Sequence, residues 1–200
     1  MKNAVCILAV AGLVGAAGAQ EFSLSIVGAP SSIDNSGGSV TVTMDIIGNA
    51  DVGTHMLGGS FAFVSGHPLI EDIRWTPASW SSFNTDGGYD GNGNHNPVIF
   101  GQLVIPGVPP FDVPAAGSEL GSAIGSFQIV IGQGIFGSMD FNLVAQDPFT
   151  LEVLDLVAGE TYQSSAGNLA LNGATISVTP TPSSLALLGL GGLAASRRRR

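Results

Sequence analysis

The chain has 200 residues, 44% of them apolar and only 10% charged, well under the roughly 25% charged residues usual in soluble domains. Of six basic residues, Lys2 and Arg197 to Arg200 are terminal, so Arg74 alone faces all fifteen acidic residues and the middle carries a net charge of -14. Such a surface repels phosphate backbones and excludes nucleic acid as a partner, while a single Cys6 inside the first apolar run excludes a disulfide framework and thiolate chemistry from the body.

Residues 1–19 read as a secretory signal peptide. Lys2 supplies the basic start, Ala4 to Val14 the apolar stretch, and Ala17-Gly18-Ala19 an A-x-A cleavage site with Ala17 and Ala19 at its small positions. The partners this implies are the Sec machinery and signal peptidase.

From Gln20 to residue 179 the pattern changes to period two, which puts alternate side chains on one face of a strand. FSLSIV near Phe22 is the first such run. In SVTVTMDII, Val40, Val42, Met44 and Ile46 share a face opposite Thr41, Thr43 and Asp45. SFAFV near Phe61, LIEDIRW near Ile70 and VIFGQLVI near Val98 follow. In AIGSFQIVI, Ala123, Phe127, Ile129 and Ile131 align, and in SMDFNLVA so do Met139, Phe141 and Leu143. FTLEVLDLV near Phe149 and ATISV near Ile176 complete the set. About nine short one-sided strands predict an all-β fold, an antiparallel β-sandwich of jelly-roll-like type. A single sheet would leave too many apolar faces uncovered.

Two insertions interrupt the strands. The first, Trp75 to Pro97, holds Trp75, Trp80, Phe83 and Tyr89. Trp75, Trp80 and Tyr89 are the candidate glycan-stacking residues, since flat rings pack on sugar faces while Asn and Asp bond hydroxyls. The plainer reading is that Trp75, Trp80 and Phe83 plug one end of the sandwich. Within the same loop Asp90, Asn92 and Asn94 repeat at i, i+2 and i+4, the opening spacing of an oxygen-rich calcium loop, and Asp86 offers a further ligand. His95 then stands where that motif has glycine, and Gly101 where it has glutamate. The expectation is a glycine-rich turn with at most weak calcium binding and no other cofactor. The second insertion, Pro106 to Gly121, carries PGVPPFDVPAAGSELG.

Nothing in the body assembles a catalytic constellation. His55, His67 and His95 form no H-x-x-x-H pair, and no serine sits in a G-x-S-x-G elbow. Glu71 and Asp72 are adjacent on a strand and point to opposite faces. They suit an ion pair with Arg74 better than an acid/base pair. The chain is expected not to be an enzyme.

Residues 180–200 read PTPSSLALLGLGGLAASRRRR: Pro180-Thr181-Pro182, an apolar core within Ser183 to Ser196, then Arg197, Arg198, Arg199 and Arg200. Fourteen helical residues would span about 21 Å against a hydrocarbon core of about 30 Å, so the segment suits a transient membrane hold. Its arginines set a positive-inside orientation that leaves the body outside. This three-part order resembles the PEP-CTERM sorting signal, with Thr181 where that family usually has glutamate. The resemblance implies a brief stay as a short transmembrane helix in the inner membrane, then cleavage by an exosortase-like membrane protease near the Pro-x-Pro motif. Transfer to an exopolysaccharide-rich cell envelope or the extracellular space would follow. The stretches WTPASWSSFNTDGG and VIFGQLVIPG are similar to secreted bodies that precede such tails in planctomycete-type bacteria. Together these features predict a secreted, non-enzymatic protein of the envelope or matrix; the alternative is a surface module that binds polysaccharide, with calcium as a helper.

Overall fold

A computed structural model describes residues 20–134 and 137–178 of the chain. The signal segment, the Pro180–Arg200 tail, and the helices expected in them lie outside the described residues. Thirteen strands are described: β1 (Phe22–Val27), β2 (Ser32–Ile33), β3 (Val40–Ala50), β4 (His55–Val64), β5 (Ile70–Pro77), β6 (Thr85–Asp86), β7 (Asn94–Gly101), β8 (Ala123–Ile131), β9 (Ser138–Ala145), β10 (Glu152–Asp155), β11 (Glu160–Gln163), β12 (Leu169–Asn172) and β13 (Ala174–Val178). All nine expected strands are present. The four additions, β2, β6, β11 and β12, have two to four residues each and mostly exposed side chains.

The strands form two sheets that pack as a sandwich. One runs in the order β12-β1-β3-β8-β5. The other is built around β4, which pairs with β7 along one edge and with β9 and then β10 along the other. β9 continues to β13 and β2, β10 to β11, and β7 to β6. Most pairings are antiparallel, as expected, but β1 with β12 and β13 with β2 are parallel. The sheets are therefore mixed. Their outermost members are short: β12, β11, β2 and β6 have four residues or fewer, and the longer outer strand β5 ends in Pro77.

Period-two alternation explains which side chains meet between the sheets. On β3, Val42, Met44 and Ile46 are buried, while Thr41, Thr43 and Asp45 are exposed. On β9, Met139, Phe141 and Leu143 point inward. The expected phase slips once, on β8. There the pairing with β3 shifts between Ile46 and Ile47, so Ala123 is exposed and Ile124 takes the buried place. One extra residue in a strand moves every side chain before it to the other face.

Aromatic rings join the sheets at the centre. Phe61 and Phe63 of β4 meet Phe127 of β8, with Phe63 and Phe127 centroids 4.5 Å apart, and Trp75 of β5 lies 4.7 Å from Phe127. All three phenylalanines are fully buried, each adding roughly 1.5–3 kcal/mol by removal from water. The Trp75 ring lies directly over Gly125, where a Cβ would stand 2.2 Å from the indole. Only glycine leaves that ring its place.

Candidate binding surface

The first insertion begins as a plug. Trp75 and Trp80 are 7% and 5% exposed, and Trp80 packs edge-on against Phe100. Its Nε1–H donates to the Ala123 carbonyl at 3.1 Å, which satisfies the indole's one donor inside the fold. Both indole faces are thus covered by protein, and neither is offered to a sugar. Tyr89 is partly buried, and its hydroxyl donates to the Ile70 carbonyl while receiving the Gly93 N–H at 3.3 Å. The three residues expected to stack glycans serve instead to anchor the loop.

The oxygen-bearing part of the loop is bound up with itself. Asp90 Oδ1 accepts the N–H groups of Asn92 at 2.6 Å and Asn94 at 3.0 Å, and its Oδ2 accepts the Asn94 side-chain amide at 2.9 Å. Asn94 Oδ1 in turn accepts the Ser65 N–H. Burial tends to raise the Asp90 pKa, but these bonds from Asn94 and Asn92 outweigh it and hold the carboxyl below its ordinary range. Asp86 Oδ1 accepts the Gly88 N–H at 2.8 Å and stands 3.0 Å from Nε2 of the buried His95. That approach is not an aligned hydrogen bond, since His95 Nε2 has no hydrogen-bond partner among the described residues. His95 Nδ1 lies 2.8 Å from the Asn96 carbonyl and so carries its proton toward that acceptor.

The remaining polar candidates stay apart. His55 Nδ1 contacts Thr54 Oγ1 at 2.9 Å, and His67 accepts the Leu69 N–H at 3.3 Å while burial pushes its imidazole pKa down. Among the described residues no three His, Cys, Asp or Glu side chains cluster closely enough to hold a metal ion. Arg74 pairs with Asp72 at 2.7 Å, as expected, and Glu71 instead accepts the Ser39 hydroxyl. The Arg74–Asp72 pair is largely exposed, so it adds at most about 1 kcal/mol.

A surface groove of about 360 Å³ lies where β4, β7 and β10 meet. Gly58 and Gly101, which pair across β4 and β7, form its bare floor. A Cβ on Gly58 would stand 2.7 Å from the Phe100 carbonyl oxygen, and one on Gly101 would stand 3.0 Å from that of Leu57. The walls are Phe83, Leu103 and Phe149, all about half exposed. Each phenylalanine is fixed at its backbone. The Phe83 N–H donates to the Gly101 carbonyl at 2.9 Å, beside a turn that Ser81 ties to the same residue. Phe149 is held by Ser60, whose N–H and hydroxyl both donate to the Phe149 carbonyl, at 3.1 and 2.8 Å.

Phe83 was expected inside the plug and Phe149 on a strand. Instead the plug stops at Trp80, and β10 begins only at Glu152. An exposed ring on a pinned backbone loses little freedom when it meets a partner. Sequence alternation could not reveal this, because both residues lie outside regular strands. An Ile105 N–H to Phe111 carbonyl bond of 2.6 Å closes the start of the second insertion, and Ile105, Val108, Phe111 and Val113 are exposed.

These features define a two-sheet β-sandwich with a closed aromatic core and an exposed, largely apolar groove. No family model matches the sequence, and no curated protein matches it. Solved structures share the architecture. The seventh ScaB type I cohesin of Pseudobacteroides cellulosolvens aligns over 80% of this chain and 94% of its own, with a TM-score of 0.53 at 10% identity. The OlpA cohesin of a Clostridium thermocellum cohesin–dockerin complex covers 80% and 99%, with a TM-score of 0.51 at 6% identity. The chain has the fold of these cohesin modules.

Proposed function

We propose that the protein is an exported, non-enzymatic binding module of the cell envelope or its extracellular matrix. Its sandwich is the scaffold and the β4–β7–β10 groove the contact face. The observation that carries this reading is the pair of pinned, exposed phenylalanines, Phe83 and Phe149, flanking a floor without side chains. Contiguous exposed apolar surface of this kind marks interaction sites. The OlpA cohesin, which has the same fold, was solved holding a dockerin; by analogy this chain holds a protein partner.

Delivery is the second part of the proposal. The signal peptide is removed after Ala19, and the tail is cut near Pro180-Thr181-Pro182 by an exosortase-like protease after Arg197 to Arg200 have oriented it. Intact-mass spectrometry of the protein from its native cells tests this. Loss of both terminal segments is the expected result, and a mature species keeping all four arginines would refute the route. Retention tests the face. A Phe83→Ser/Phe149→Ser double variant with an unchanged melting temperature should leave the envelope fraction for the medium; retention equal to wild type would sink the contact-face reading.

A further inference from the structure

A second cavity, of about 240 Å³, opens where the two sheets meet. Leu24 and Leu169 line it from the β1–β12 side, and Ser60, Leu151 and the β9–β10 connection line it from the other. Three of its polar side chains keep hydrogen-bonding capacity that could face a ligand. Asp147 and Thr150 are exposed at the mouth, and among the described residues neither side chain makes a hydrogen bond or ion pair. Ser164 is buried on the floor, where its hydroxyl accepts the Leu151 N–H at 3.0 Å. The hydroxyl's own proton has no acceptor among the described residues. Ser60, by contrast, spends its hydroxyl on the Gln146 and Phe149 carbonyls.

We propose that this crevice holds one neutral sugar ring, either free or as the terminal residue of a polysaccharide. A carboxylate takes hydroxyl protons, two hydroxyl groups can both give and accept, and the Phe149 ring offers an apolar wall for the C–H face. The cavity falls below the roughly 300 Å³ of the smallest sites for drug-sized ligands, which limits it to a single ring. A body charge of -14 disfavours uronates and sulfated or phosphorylated sugars. The site is separate from the one first expected, because Trp75, Trp80 and Tyr89 take no part in it.

The test is a titration of the isotopically labelled full chain with neutral methyl pyranosides, a neutral glucan oligosaccharide and methyl glucuronide, followed by amide NMR shifts. Neutral glycosides should shift Asp147, Thr150 and Ser164 with dissociation constants of about 1 mM or weaker. The oligosaccharide should bind more tightly than the free ring if the natural ligand is a chain end, and equally if it is a free sugar. An Asp147→Ala/Thr150→Ala double variant should lose about tenfold in affinity at an unchanged melting temperature. Glucuronide should bind more weakly than any neutral sugar. Absence of crevice shifts with every sugar, shifts that survive the double variant, or preference for the uronate would each overturn the proposal. Phe149 and Thr150 line both cavities, so the separating variants are those at unshared residues: Phe83→Ser should leave the sugar shifts intact, and Asp147→Ala alone should leave envelope retention intact.

Discussion

The Trp80 indole reaches across the end of the sandwich to donate its only proton to the Ala123 carbonyl, at 3.1 Å. That bond ties the first insertion to the start of β8, next to the register shift that brings Ile124 inward. Trp80→Phe should keep most of the packing, lose the donor, and cost about 1 kcal/mol. Trp80→Ala should cost about 3–5 kcal/mol. Urea unfolding of the two variants separates these outcomes, and equal small losses would mean that the indole is not a plug.

Ser60 makes the opposite kind of bond, holding an irregular segment rather than a loop end. It is buried and spans the break between β9 and β10 with its backbone and side chain. Ser60→Ala leaves the Phe149 N–H, 3.2 Å from Ser60 Oγ, without that acceptor. The expected cost is about 1–3 kcal/mol, with faster amide exchange confined to residues around Phe149.

Asp90 gives the loop a pH signature. Its carboxyl sits below its ordinary range in the folded state, so its stabilising contribution is complete above the unfolded value of about 3.9 and fades as pH falls through the lower folded value. Asp90→Asn should flatten the acid limb of the melting curve below about pH 4 and leave neutral pH behaviour closer to wild type than Asp90→Ala does.

Calcium is tested on the same loop. Amide protons already take about three of the four acceptor sites of the Asp90 carboxylate, which leaves little of it for coordination. A calcium-dependent rise in melting temperature that vanishes in Asp86→Ala and Asp90→Ala would establish the weak site proposed from the Asp86, Asp90, Asn92 and Asn94 spacing. Identical melting with calcium and with chelator would remove it.

How far the sequence reaches can be seen in particular residues. Val42, Met44 and Ile46 announced β3, because a half-buried strand must alternate. Ile124 could not be placed, because a bulge exchanges faces without changing composition. β11 and β12 carry mostly exposed side chains, so burial left no pattern in them to read. Their pairing comes from backbone hydrogen bonds that any side chain permits. In the first insertion, composition alone could not sort the aromatic rings between core and surface. Trp75 and Trp80 are the largest apolar groups there and went to the core, leaving Phe83 outside.

The margins of the sandwich bear on how the molecule behaves when crowded. Its outer strands are either too short to template another chain or, in β5, interrupted by a register shift, charged at Asp72 and Arg74, and closed by proline. Margins of this kind discourage strand-to-strand accretion. In a dense matrix of identical neighbours, the protein would therefore stay discrete and not polymerise into fibres. Any higher-order lattice would have to be assembled through faces and loops, by contacts that can be made and released.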